Sequence, residues 1–351
     1  MSIPFTKYMI IGAGLSGLTT AYVLRKAGET DMMVLESRKR IGGRIFEQDR
    51  IDFGGTWFQS HHLNVLRLLD ELGIAKFHQY VKGKSVLVYR NGVPERYFES
   101  DPNTPSAYRI VGGSMALVNS LANGGREHLM PGVTVRGLRQ EGKLFLVETD
   151  QGSFKSEKVV VTVPPKITDR ILFEPELPKA LRLVMAKTHT WMSNSMKVGL
   201  TFQRPFWRAK GLSGTLIGQT GAVTELYDHS DASNRYYALM GFINEGLRVF
   251  SETERKKRIL HYLATYLGEE VNTYTTYEEK DWSQDRHTSE ETEQTGYDSL
   301  SYGNVLFQRG YLNNSLVFSG TETASSYGGY MDGAISSGIR AAKQLLEHRQ
   351  E

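Results

Sequence analysis

The run Tyr8-Met9-Ile10-Ile11-Gly12-Ala13-Gly14-Leu15-Ser16-Gly17 constrains the fold of this chain more than any other segment. It reads as an apolar strand, a G-x-G-x-x-G turn and the start of a helix carrying Leu18, Ala21, Tyr22 and Leu24. The helix is expected to stop near Gly28, where a residue without Cβ ends it in a left-handed conformation. The next strand, Met32-Met33-Val34-Leu35, runs into Glu36, nineteen residues after Gly17. Gly12 allows the sharp turn, Gly14 allows backbone to approach a pyrophosphate, and Gly17 allows helix and strand to pack closely. A pyrophosphate held along Ala13, Leu15 and Ser16 meets the positive end of the helix and its free N–H groups. Glu36 stands where a carboxylate accepts hydrogen bonds from a ribose, and its charge disfavours a 2′-phosphate. The segment is therefore read as a dinucleotide site.

Two further stretches of bare backbone follow. Glu36-Ser37-Arg38-Lys39-Arg40-Ile41-Gly42-Gly43-Arg44 carries a Gly-Gly step between arginines, and Asp52-Phe53-Gly54-Gly55-Thr56-Trp57 carries another. Each alone reads as an ordinary turn. A nicotinamide site has no need of both, whereas a longer cofactor with a ribityl chain and a three-ring head does.

Together these motifs resemble the flavin-containing amine oxidases, the family of the monoamine and polyamine oxidases and their short bacterial relatives. The resemblance continues in Val111-Gly112-Gly113-Ser114 and in Lys197, ten residues before Trp207 in KVGLTFQRPFW. It ends in Gly320-Thr321-Glu322-Thr323-Ala324 and Gly328-Gly329-Tyr330-Met331-Asp332-Gly333-Ala334, so it spans nearly the whole chain in the family's order. It implies FAD as cofactor, contacted by the opening motif and Glu36, by Arg38, Gly43, Arg44, Gly54, Gly55, Thr56, Trp57 and Val135, and by Gly320, Glu322, Gly329, Tyr330 and Met331. The monoamine oxidases attach FAD through a cysteine. This chain has none, so binding is expected to be non-covalent.

Composition narrows the classes. A chain of 351 residues is too long for one simple core. A net charge of +3 implies no nucleic-acid or acidic-membrane partner. The basic run Arg255–Arg258 reads as the solvated start of a helix announced by the capping pattern Ser251-x-x-Glu254, with Ile259, Leu263 and Leu267 on its buried face. With no cysteine there is no disulfide, thiolate metal site or cysteine nucleophile, and no metal is expected. No signal peptide or membrane anchor is visible, and a cytoplasmic location is expected. A second G-x-G-x-x-G with its strand and acid is missing, which favours a flavin reduced by its own substrate rather than by NAD(P)H.

The expected fold is α/β, a discontinuous Rossmann-like FAD-binding domain with an inserted α+β substrate domain. Val133-Thr134-Val135 and Leu144–Val147 read as antiparallel or edge strands, and Lys158–Val163 as a strand buried on both faces of a parallel sheet. Leu316–Ser319 delivers Gly320-Thr321-Glu322 at its C-terminal end, where open α/β sheets bind ligands, and a final helix is expected from about Met331 to Glu347. The resemblance places the FAD domain at 1–76, 117–186 and 291–351 and the substrate domain at 77–116 and 187–290. The first insertion is short for the family, which implies an open substrate entrance.

Two residues stand out for chemistry. In Met196-Lys197-Val198-Gly199-Leu200-Thr201-Phe202 the apolar side chains alternate, and periodicity alone places Lys197 on a solvated strand face. The resemblance makes it instead a lysine bonded through a water to the flavin N5. Tyr330 reads as a core tyrosine at a helix start or, by resemblance, as one wall of an aromatic cage favouring a neutral amine. The opposite wall falls near Ser289-Glu290-Glu291-Thr292, where no aromatic stands, leaving the place open to Tyr297, Tyr302 or none. His61 and His62 are open to substrate contact or surface, and Trp282 to core or pocket.

The resulting expectation is amine oxidation by hydride transfer to flavin N5, imine hydrolysis and reoxidation by oxygen, with a small-molecule amine as partner. The alternatives are dehydrogenation of a carotenoid- or porphyrinogen-like substrate, or a flavin-dependent isomerase or scaffold.

Overall fold

Strand Phe5–Ile11 sits inside a nine-stranded sheet, as a run of successive apolar residues requires: Tyr8, Met9, Ile10 and Ile11 are all buried. A computed structural model describes residues 3–89, 96–99, 107–289 and 302–347. On one side of this strand lies Met32–Glu36, in parallel register Ile10↔Val34 and Ile11↔Leu35, followed by Leu129–Pro131. On the other lies Gly152–Val161, register Met9↔Val159 and Ile11↔Val161, followed by Leu316–Phe318. These five strands are mutually parallel, so Gly12, Glu36, Thr162 and Gly320 emerge along one edge. The hairpin Val135–Glu141/Leu144–Thr149 adds antiparallel strands, and the expected strand Val133–Val135 forms only the entry to its first arm.

Helices Leu15–Lys26, Leu63–Glu71, Ser114–Ala122 and Met331–Glu347 share one core with Tyr8, Ile10, Val34 and Val160. On the opposite face Met9, Ile11, Leu35, Val159 and Val161 pack with Leu181 and Met185 of helix Lys179–Lys187. A parallel sheet with helices on both faces is the Rossmann-like arrangement expected.

The second sheet has seven strands in the order Thr276–Asp281, Met196–Phe202, Tyr237–Ile243, Val223–Asp228, Leu212–Gly218, Lys84–Val88 and Arg96–Glu99. Met196, Val198, Leu200 and Phe202 pack with Ile259, Leu263 and Leu267 of helix Glu252–Leu267, whose start is capped by the Ser251 hydroxyl accepting from Glu254 N–H at 3.3 Å. The reverse face is buried too. Gly199 lies so close to Ile51 and Phe53 that a Cβ there would meet them at 2.7 and 2.9 Å. The strand is therefore covered on both sides, and alternation does not mark a solvated face. Among the described residues, no helix is long and apolar enough to cross a membrane.

Candidate active site

The opening turn is built as its glycines require. Gly12 holds φ at +107°, and a Cβ on Gly17 would fall 2.0 Å from the Gly12 carbonyl oxygen. Gly14 sits at the N-cap of helix Leu15–Lys26, and the nearest atom to a Cβ there would be Gly43 Cα, 3.9 Å away. The second Gly-Gly step thus lies against the first turn, fixed by Gly42 N–H donating to the Ala13 carbonyl at 2.8 Å. Glu36 binds the two segments from behind, accepting from Ala13 N–H on Oε2 and from Arg38 N–H on Oε1, both at 2.9 Å.

The stretch Asp52–Trp57 is held from several directions. Asp52 Oδ1 accepts from Ser114 N–H at 3.0 Å, and Asp52 N–H donates to His229 Nε2 at 3.1 Å. The Phe53 carbonyl accepts from the indole of Trp282 at 2.9 Å, and the Gly54 carbonyl from Lys197 Nζ at 2.8 Å. Trp282 is thus a core residue that braces the site. Lys197 is 1 % exposed, with Nζ 4.8 Å from the Phe242 ring centroid and 5.6 Å from that of Trp57. Burial pulls its pKa down to about 7, against the charges of Asp52 and Glu225, which raise it. Burial thus favours the free amine over the ammonium.

These elements enclose one cavity of ≈ 1310 Å³. Of the residues expected to hold the cofactor or to act in the chemistry, all line it except Ala13, Gly17 and Glu322. Ala13 and Gly17 sit behind the wall, as described. Glu322, fully buried, takes Arg44 in a two-pronged pair at 2.5 and 2.9 Å and also accepts from Trp191 N–H. Tyr330 is half exposed at the cavity wall, its ring centroid 5.2 Å from His62 and 6.0 Å from Trp191. The two adjacent histidines part company: His62 is buried and lines the cavity, its Nδ1 accepting from Gln59 N–H, while His61 does not line it. Tyr302 packs against Gly328 away from the cavity wall, while Tyr297 and Glu290, Glu291 and Thr292 lie outside the described residues. Trp191, Glu225, Tyr227 and Phe242 also line the cavity, and no motif marked them in the sequence.

The donor set fits FAD. The volume exceeds that of pockets for drug-sized ligands, about 300–1,000 Å³. Bare backbone at Gly14 faces it, and the Arg38 Nε is buried with no hydrogen-bond partner among the described residues. Arg38, Arg136, Arg170 and Arg286 also line the cavity, donors suited to a cofactor that carries phosphates.

The model of a family described as flavin-containing amine oxidoreductases matches residues 15–101 and 96–346. The flavin-containing amine oxidase A of Equus caballus is 26% identical over 96% of this chain and 84% of its own length. Among solved structures, wild-type putrescine oxidase bound to putrescine superposes with TM-score 0.86 at 22% identity, covering 98% of this chain and 99% of that one. Cyclohexylamine oxidase from Brevibacterium oxydans gives 0.87 at 19% identity, covering 99% and 100%. At such identities the structural likeness speaks to the fold.

Proposed function

The chain belongs to the flavin-containing amine oxidoreductase family, and from that premise we propose that it oxidises the C–N bond of an amine using non-covalently held FAD. The observation that carries this reading is the buried Lys197, held by the Gly54 carbonyl between Trp57 and Phe242 in the cavity that Tyr330 borders. Bound FAD supplies a hydride acceptor at N5. Trp57, Phe242, Trp191 and Tyr330 present an apolar, electron-rich wall that excludes water and favours the neutral amine, the form able to lose hydride from its α-carbon. The Gly54 carbonyl fixes the Nζ of Lys197, which in its amine form is a proton acceptor for a water at the reacting centre. In the balanced reaction the amine loses one hydride and one proton to give an imine. Water hydrolyses the imine to a carbonyl compound, releasing ammonia from a primary amine or an amine from a secondary one, and oxygen takes the two electrons and two protons as peroxide.

The reading keeps 1–76, 117–186 and 291–351 as the FAD-binding part and 77–116 with 187–290 as the substrate part, in a cytoplasmic protein. Anaerobic titration with primary, secondary and polyamines tests it. One class should bleach the flavin absorbance, and air should restore the band with release of peroxide. A band untouched by every amine, yet bleached by dithionite, overturns amine oxidation and favours another dehydrogenation.

A further inference from the structure

A smaller recess of ≈ 390 Å³ lies outside the large cavity and shares part of its wall. Arg38, Arg286 and His287 line both, whereas Arg40, Phe46, Lys280 and Asp285 line the recess alone. Three stretches build it: the arginine run after Glu36, the end of strand Thr276–Asp281, and the residues that follow the turn Trp282–Gln284. Four permanent cations thus converge on a single carboxylate.

That carboxylate is already engaged. Asp285 Oδ1 accepts from Arg38 Nη2 at 2.6 Å, and its Oδ2 lies 3.7 Å from Lys280 Nζ. Arg40 is held differently. Its Nη1 donates to the carbonyls of Ile41 and Ile45 at 3.2 and 3.3 Å, and its guanidinium carbon stands 4.6 Å from the Phe46 ring centroid. Arg286 donates its Nε–H to His287 Nε2 at 3.2 Å, which leaves that imidazole neutral. Among the described residues no carboxylate comes within 4.0 Å of either Arg40 or Arg286. Burial, with the like charge of Arg38 beside it, lowers the Arg40 pKa to about 10. Holding one cation against another in a half-buried place costs free energy, and an anion seated between them offsets it.

We propose that this recess binds a small phosphomonoester, separately from the cofactor, with the phosphate between Arg40, Lys280 and Arg286 and the organic part against the Phe46 ring. A phosphate dianion accepts from several guanidinium and ammonium donors arriving from different directions, where a carboxylate leaves some of them unpaired. The volume lies in the range of small-molecule sites, about 300–1,000 Å³, and leaves room beyond a bare phosphate. The site is independent of which substrate the large cavity oxidises.

The test uses the FAD-loaded protein, so that the large cavity is already filled. Glycerol 1-phosphate, inorganic phosphate and glycerol are titrated calorimetrically at one fixed ionic strength in chloride. The phosphomonoester should bind saturably, inorganic phosphate more weakly, and glycerol not at all. Arg40→Ala and Lys280→Gln should each weaken the phosphomonoester about 10- to 100-fold, the loss of one charge-assisted contact, with flavin absorbance per chain unchanged. Lys39→Ala removes an equal charge from an exposed position that lines neither space, and should change the affinity by about twofold at most. No saturable binding by wild type, or equal weakening by Lys39→Ala, overturns the site. Inorganic phosphate binding as tightly as the monoester overturns the assignment of an organic ligand. Release of flavin during the titration overturns a site separate from the cofactor.

Discussion

Lys197 owes its properties to its surroundings. A lysine on the open face of a strand keeps an ordinary pKa, but this one is closed in by Phe242, Trp57 and the Gly54 carbonyl. Burial favours the neutral amine, and the pKa falls from 10.5 to about 7. The unfolded chain keeps this group protonated up to about pH 10.5, so between these limits unfolding takes up a proton and stability rises with pH. The difference in unfolding free energy between wild type and Lys197→Met should therefore move in favour of wild type from pH 7 to 10.5. Urea unfolding at intervals of pH measures it, and a flat difference would show a lysine that titrates normally. The same substitution should remove an inflection near pH 7 from the rate of flavin reoxidation by oxygen.

At the level of elements, two small features do different work. Helix Leu15–Lys26 approaches the Gly12 carbonyl so closely that position 17 has no room for a methyl group. Gly17→Ala should cost about 1–3 kcal/mol or more by overpacking, and it should lower flavin content because the turn that carries Gly12 and Gly14 must open. Ser251→Ala removes the cap of helix Glu252–Leu267, on the far side of the second sheet from the cavity. It should cost about 1 kcal/mol with flavin content unaffected. Denaturation midpoints with flavin absorbance per mole of protein separate the two cases. Both features were legible beforehand, since G-x-x-G spacing and Ser-x-x-Glu are local patterns acting over a single turn of chain.

Across the whole molecule, the cavity joins segments from the start, middle and end of the sequence, and cofactor and fold are thermodynamically linked. Stripping FAD should lower Tm. Adding free FAD at about 100 times its Kd should restore about 2.7 kcal/mol, if the unfolded chain has no affinity for it. Thermal scans of stripped and refilled protein measure this, and a Tm indifferent to FAD would show that the folded chain does not bind it preferentially. Arg38 ties the two halves together, reaching Asp285 at 2.6 Å and Thr288 at 2.8 Å beyond the second sheet while its backbone N–H serves Glu36.

Short-range order was readable from the residues alone. Gly12, Gly14, Gly17 and Glu36 define a strand–turn–helix–strand whose geometry depends on neighbours in sequence. Strand Phe5–Ile11 and helix Met331–Glu347 followed from uninterrupted or periodic apolar residues. The state of Lys197 was not readable, because alternation in Met196–Phe202 records only that the two faces differ. Whether the second face meets water depends on Ile51 and Phe53, far away in the chain. Trp191, Tyr227, Phe242 and Glu225 likewise sit in unremarkable strand and loop sequence, and only the register between strands aligned Phe242 and Glu225 with the lysine. The sequence determined which cofactor turn and which sheet could form, since those follow from local sterics and hydrophobic period. Tertiary structure alone decided which charges share a cavity, since pairing of distant strands sets the distance between them.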